Sequence, residues 1–400
     1  MKLPETVASE IARIARLPDH RSFYLYDTSI MAEKVEYLRR TVPNGVEVYY
    51  AMKANPHRRF IEAALNAGVS GIEIASVGEA RKAIDAGCKP ERLIFTGPGK
   101  SPEELSWSVA NRVKTVHVES LTEAHRLNAI CERQGVTQEI LVRVNPNFAI
   151  HGAQATFSGD SNKMGIDENL YAYILSSILT LPNLIFRGLH VYAASGVLKV
   201  EDLLENCSRV FKLARDTEAR FSNVKCDIID FGGGFGIDYL EAGQGFSIEQ
   251  YSKLLAALIE RFGLQDRRFI LELGRYLTAE SGWYCTEILD VKTSLGKMQV
   301  ICAGGAHHFR RPVALGINHP LAIVPMQRPK VFNGQERVHD AMVFIGGPLC
   351  NTADKLAPKD IYIEHAEIGD IAVFGLAGAY GLSMSHLDFL SHPRPPEVFV

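Results

Sequence analysis

Lys53 lies near the end of the run Val46-Glu-Val-Tyr-Tyr-Ala-Met-Lys-Ala-Asn-Pro56. Residues 46 to 52 are rich in β-branched and aromatic side chains and read as a buried strand, which Ala54-Asn55-Pro56 breaks. A lysine there cannot easily reach water, and desolvation lowers an amine's pKa towards nucleophilic competence. Such an amine can form a Schiff base with a carbonyl cofactor. Taken alone, a strand-end lysine solvated at a loop is the commoner arrangement. Two glycine stretches shift that balance. Cys226-Asp-Ile-Ile-Asp-Phe231 runs straight into Gly232-Gly-Gly-Phe-Gly236, and Leu271-Glu-Leu-Gly-Arg275 ends a second apolar run. Successive glycines allow positive φ and close approach, so several N–H groups can converge on one anion.

The elements that position these residues are legible as an alternation. Strand-like runs at 46–52, 71–76, 92–96, 115–119, 139–145, 184–192, 225–231 and 268–273 are separated by amphipathic helical stretches such as Arg59–Ala67, Thr122–Arg133 and Val200–Ala219. Alternating strands and helices imply a parallel sheet, and eight such units imply a closed (β/α)₈ barrel, with a doubly wound open sheet as the rival. In barrels the loops after strands seven and eight frequently form a phosphate site. The Gly232 and Gly274 loops hold those ordinal positions, and Lys53 ends strand one on the same rim. Beyond Gly282, short strand-like runs (Trp283–Thr293, Met298–Ala303, Ala322–Pro325, Asp340–Ile345, Ile361–His365 and Asp370–Phe374) are separated by Gly, Pro and Asn. This reads as a separate all-β domain.

A phosphate held by glycine loops and an aldehyde caught by a lysine describe pyridoxal 5'-phosphate. Glu272 then fits as the partner of the pyridine nitrogen, since a carboxylate keeps that nitrogen protonated and the ring a strong electron sink. A structural ion pair with Arg275 is the plainer reading of Glu272. Composition points away from other classes. The 400 residues carry a net charge of −3, 46% hydrophobic and 22% charged residues, which suits an ordinary globular chain and not a nucleic-acid or anionic-membrane partner. Seven cysteines, odd in number and without a CxxC pair, read as reduced thiols in a cytoplasmic protein, with no metal site expected. The first nineteen residues do not read as a signal peptide, and no run of about 18 apolar residues suggests a membrane span.

Five ordered motifs carry a family resemblance: Tyr50-Ala-Met-Lys-Ala-Asn55, Gly232-Gly-Gly234, Glu272-Leu-Gly-Arg275, Gly347-Pro-Leu-Cys350 and Gly378-Ala-Tyr380. In these the chain resembles the fold-type III pyridoxal-phosphate decarboxylases, the ornithine, arginine and diaminopimelate group. The resemblance implies a barrel of the alanine racemase type over residues 28–280, a β domain over 281–400, and an N-terminal segment, 1–27, joining the latter. It implies a homodimer with shared active sites, in which Cys350 comes from the neighbouring chain. Carried over, Lys53 is the Schiff-base lysine, Glu272 the pyridinium partner, and Glu73 an acidic residue near the lysine. Gly233, Gly234, Gly274 and Arg275 would hold the phosphate through their backbones, with Ser195 and the Tyr380 hydroxyl assisting. Cys350 would return a proton to Cα after CO₂ leaves; alone, it would read as a buried structural thiol.

The departures are informative. The family's stacking histidine is replaced by Tyr192 within His190-Val-Tyr-Ala-Ala-Ser195, leaving Tyr192 and His190 as candidates for covering the cofactor ring. Ornithine and diaminopimelate decarboxylases usually carry Asp or Glu after the cysteine to meet a distal ammonium, and here that position is Asn351. The ending Gly378-Ala-Tyr-Gly-Leu-Ser-Met-Ser-His-Leu-Asp-Phe-Leu-Ser-His-Pro393 resembles the siderophore-biosynthesis branch, whose substrates are citryl-serine or citryl-diaminopropionate conjugates. Arg310 and Arg311, in His307-His-Phe-Arg-Arg-Pro312, could then meet citrate carboxylates, or else form a basic surface turn. The resemblance therefore implies decarboxylation of a citrate-conjugated amino acid. A diamino-acid decarboxylase, an amino-acid racemase and a non-catalytic binding protein of the same fold are the alternatives.

Overall fold

Eight parallel strands close on themselves in the computed structural model, which describes residues 1–148, 161–326 and 337–400 together with the backbone of Ala155–Thr156. The strands are Val46–Ala51, Gly71–Ile74, Leu93–Phe95, Thr115–Val118, Gln138–Asn145, Leu184–His190, Ile228–Asp230 and Arg268–Leu273. The eighth pairs with the first, Glu272 opposite Tyr49, and the fourth with the fifth, Val116 opposite Ile140, so no edge remains. The open-sheet rival is thereby excluded. Serines set several of the helix starts that follow: Ser76, Ser101, Ser120 and Ser247 each accept a backbone N–H of the first helical turn. A cap of this kind stabilises its helix by about 1 kcal/mol.

Inside the barrel, Tyr49, Ile94, Leu141, Ile228 and Ile270 form one buried apolar cluster. Side chains on a strand return to the same face every second residue. The next inward positions towards the strand ends are therefore Arg143, Asp230 and Glu272. Their burial shows that an apolar plug is followed by a polar layer, and the chemistry sits on that layer.

The chain forms two compact units, 32–237 with 245–277, and 1–31 with 238–244 and 278–400. In the second unit the long strand Gly282–Ser294 is the spine of a mixed sheet. Ser22–Tyr26 pairs with it antiparallel, Ser22 opposite Thr286, and also lies parallel to Glu397–Phe399. The helix Glu5–Ile14 sets Ile11 and Ile14 into the apolar core of this sheet, with Phe23, Leu25, Trp283 and Val373. Residues 238–244, on the barrel side of the expected boundary, belong to this unit: Tyr239 packs on His319 at 4.7 Å between ring centres.

Candidate active site

Lys53 sits one residue into a 3₁₀ turn, Met52–Ala54, that follows the first barrel strand. Its Nζ is 2.9 Å from Glu73 Oε2. Glu73, on the second strand, is 1% exposed and accepts a hydrogen bond from the Thr96 hydroxyl through its other oxygen. The lysine side chain itself is 39% exposed. Deep desolvation, expected from the strand, is therefore not what prepares this amine. The chain turns before Lys53, and a buried carboxylate aims it.

Glu272 and His190 occupy the polar layer. Glu272 Oε1 and His190 Nε2 are buried, have no hydrogen-bond partner among the described residues, and lie 3.8 Å apart. Burial, with the carboxylates of Asp230 and then Glu73 nearby, pushes the Glu272 carboxyl well above its ordinary range. Burial also raises Asp230, to about 7, although its Oδ1 accepts the Gly232 N–H at 2.8 Å. A buried acid held protonated by its surroundings is poised to ionise beside a fixed cation. That demand, and the unused oxygen, fit a protonated pyridine nitrogen.

His117 and Asp230 escaped the sequence reading. His117 Nδ1 bonds His190 Nδ1 at 3.0 Å, and its Nε2 lies 3.2 Å from Thr115 Oγ1. Burial lowers both imidazoles, so the pair is neutral and one ring donates to the other. These two histidines, Asp230 and Glu272 place ligand-type atoms within 4.8 Å of one another. Both His117 nitrogens are already engaged, so the group reads as a hydrogen-bonded layer rather than a cation cage. The available signal was positional: polar residues at inward strand positions just before the rim.

The structure separates the two stacking candidates. Tyr192 is half-buried, with Lys53 Nζ 5.8 Å from its ring centre. His190 is instead spent on His117 and the approach to Glu272. The glycine loops are tight. A Cβ on Gly233 would stand 2.1 Å from the Glu272 carbonyl oxygen, and Gly234, at φ +95°, would put one 2.6 Å from that of Ala194. Gly274 likewise leaves only 2.8 Å to the Ala51 carbonyl. Arg275 opens a short helix, and its Nη2 reaches Ser195 Oγ at 3.4 Å. Loops that admit only backbone, beside a serine hydroxyl and an arginine, suit a phosphate. The residues present thus fit pyridoxal phosphate at both its ends.

Cys350, Asn351, Tyr380, Arg310 and Arg311 lie in the other unit. Cys350 is exposed, whereas the other six cysteines are buried. The two arginines part company. Arg311 is 2% exposed, with its guanidinium 4.7 Å from the Tyr239 ring centre and 5.8 Å from that of Tyr380. Arg310 is exposed and, with Asn351 and His307, borders a cavity of about 350 Å³. Asp354 borders it too, but its carboxylate accepts the backbone N–H groups of Ala306 at 2.6 Å and Leu349 at 2.8 Å, tying two loops together.

Residues 29–279 match the family model described as the pyridoxal-binding domain of pyridoxal-dependent decarboxylases, and with this barrel and this site the chain belongs to that family. It is a pyridoxal-phosphate-dependent decarboxylase. Among its relatives is the 2-[(L-alanin-3-ylcarbamoyl)methyl]-2-hydroxybutanedioate decarboxylase of Staphylococcus aureus, 33% identical over 94% of this chain and 93% of that protein. The L-glutamyl-[BtrI acyl-carrier protein] decarboxylase of Niallia circulans is 30% identical over 94% of this chain and 88% of its own length. Diaminopimelate decarboxylase from Helicobacter pylori, solved with L-lysine, superposes with a TM-score of 0.83 at 26% identity, covering 95% of this chain and 91% of the other.

Proposed function

We propose that the enzyme decarboxylates the amino-acid end of a citrate-conjugated amino acid, of the citryl-serine or citryl-diaminopropionate type, in carboxylate-siderophore biosynthesis. The observation that carries this reading is the cavity lined by Leu349 and Asn351, where an exposed Arg310 stands and Asp354, the one carboxylate among the described residues bordering it, is tied up by backbone amides. Asn351 offers a donor and an acceptor without demanding an ammonium group. The relatives support it: the staphylococcal enzyme's name describes an amino acid joined through an amide to a hydroxy-polycarboxylate, and the other's an amino acid attached to a carrier protein.

When bound, the cofactor supplies an electron sink for the bond between Cα and the departing carboxylate. The chain's own residues do the rest. Lys53 would hold the cofactor through its amine, which Glu73 orients. Glu272 would meet the pyridine nitrogen and Tyr192 would cover the ring. The backbones of Gly233, Gly234, Gly274 and Arg275, with Ser195 and the Tyr380 hydroxyl, would hold the phosphate. The Cys350 thiol would return a proton to Cα once CO₂ has left.

CO₂ release from citryl-serine, citryl-diaminopropionate, ornithine and diaminopimelate, measured side by side, tests the reading. Either conjugate should turn over at least about 100-fold faster in kcat/KM than both free diamino acids. Faster turnover of a free diamino acid than of both conjugates would overturn it.

We further propose a homodimer in which Lys53 and Cys350 of one centre come from different chains. Lys53→Ala and Cys350→Ala proteins, mixed under conditions of subunit exchange, should then complement. Random reassortment yields half heterodimers with one intact site each, so roughly a quarter of native activity returns. No recovery after demonstrated exchange would mean that each site is built from one chain.

A further inference from the structure

The cavity beside Asn351 holds one group that the proposed chemistry does not use. His307 borders it, is 1% exposed, and has both ring nitrogens buried without a hydrogen-bond partner among the described residues. Buried polar atoms are normally paired, and an unpaired one marks either a cost or a missing ligand. The ring is held in place by its neighbours, 3.9 Å from His308 and 4.8 Å from His392 between ring centres. Arg310 borders the same cavity and makes no ion pair among the described residues. Asp354 is the carboxylate that would oppose an anion there, and two backbone N–H groups already hold its oxygens.

We propose that this cavity is a carboxylate subsite, in which Arg310 supplies the charge and His307, as a neutral imidazole, donates a hydrogen bond to one carboxylate arm of the substrate. The proposal rests on the citrate-conjugate reading and names the residues that would recognise its polycarboxylate end. Neutrality follows from the surroundings. Burial, followed by the nearby rings of His308 and His392, pushes His307 down to about 3, and His308 is itself pushed down to about 4. Arg310 adds positive charge on the cavity side, and the exposed His386 stands on its rim. Among the described residues that border the cavity, Asp354 is the sole opposing charge. A neutral imidazole still offers one N–H, and a donor already desolvated loses little on pairing with an anion.

Citrate itself is the probe, titrated calorimetrically into the holoenzyme at about pH 7.5 in two buffers of different ionisation enthalpy. Binding should occur with no net proton uptake. Arg310→Gln should weaken it about 10- to 100-fold, and His307→Phe about tenfold, while His307→Gln, which keeps an amide donor, recovers most of the loss. Retained cofactor absorbance and melting temperature show that each variant is folded; if His307→Phe is not, His307→Ala takes its place. Uptake of one proton per citrate would overturn the neutral-donor assignment. Unaltered affinity in the folded His307 variant lacking a donor, or no citrate binding by an enzyme that turns over citryl conjugates, would overturn the subsite. Should the conjugates fail as substrates while citrate binding follows these variants, the subsite stands and the substrate reading falls.

Discussion

Lys53→Ala is expected to lower kcat on the order of 10⁴-fold or more, because the group that carries the cofactor acts as a unit with the rest of the site. Borohydride reduction of the native holoenzyme should fix the cofactor on Lys53, readable by peptide mapping. Lys100, another lysine close to this rim, is unsuited to the task. It is buried, pairs with Glu123 at 2.8 Å, and donates to the His117 carbonyl at 2.9 Å. Lys53 instead has a partly exposed side chain whose amine donates to the Glu73 carboxylate. Lys53→Arg separates the two roles: it keeps a cation for Glu73 but cannot form the covalent link, and should be as inactive as the alanine variant while melting near the native temperature. Label on Lys100, or activity within about tenfold of native in either variant, would show that the amine has been misassigned.

Glu272→Gln should cost on the order of 100- to 1,000-fold in kcat with the cofactor still bound, the scale seen when one preorganised electrostatic partner is removed. Its effect on stability should have the opposite sign in the apoprotein. Glu272 is held above the ordinary glutamate range by burial, then by Asp230 and Glu73. A carboxyl with a raised folded-state pKa keeps a proton that the unfolded chain has released. Between the two pKa values the native state therefore loses stability as pH rises. Glutamine removes that penalty. The apo variant should gain melting temperature relative to native protein, and gain more at about pH 8 than at about pH 6. Thermal scans of both apoproteins at the two pH values, beside kcat of the loaded enzymes, read both effects. A variant that is less stable at the higher pH, or one that retains native kcat, would remove Glu272 from its place opposite the pyridine nitrogen.

Much of this architecture was open to reading in one dimension. Strand spacing announced eight barrel units, and the ordinal positions of Lys53, the Gly232 loop and the Gly274 loop put them on one rim. Those features are local: strand-forming runs, breakers and glycines declare themselves within a few residues. The strand ends were less secure. The first strand stops at Ala51, and Lys53 follows in a turn, so its partial exposure contradicted the desolvated amine that the apolar run suggested.

The order of the elements and the residues with chemical potential are thus written along the chain. Tertiary structure decided which of them meet. His117 and Asp230, far apart in the chain, join Glu272 and His190 only because a closed barrel turns every second residue inward onto one layer. The same closure spends His190 on its neighbours and leaves Tyr192 beside Lys53. Arg310 and Arg311 are adjacent and chemically identical, yet one reaches a cavity and the other is sandwiched near Tyr239 and Tyr380. Ser22 meets Thr286 across 264 residues of chain. Pairings of this kind depend on burial, charge compensation and packing summed over the whole fold, and no local pattern encodes them.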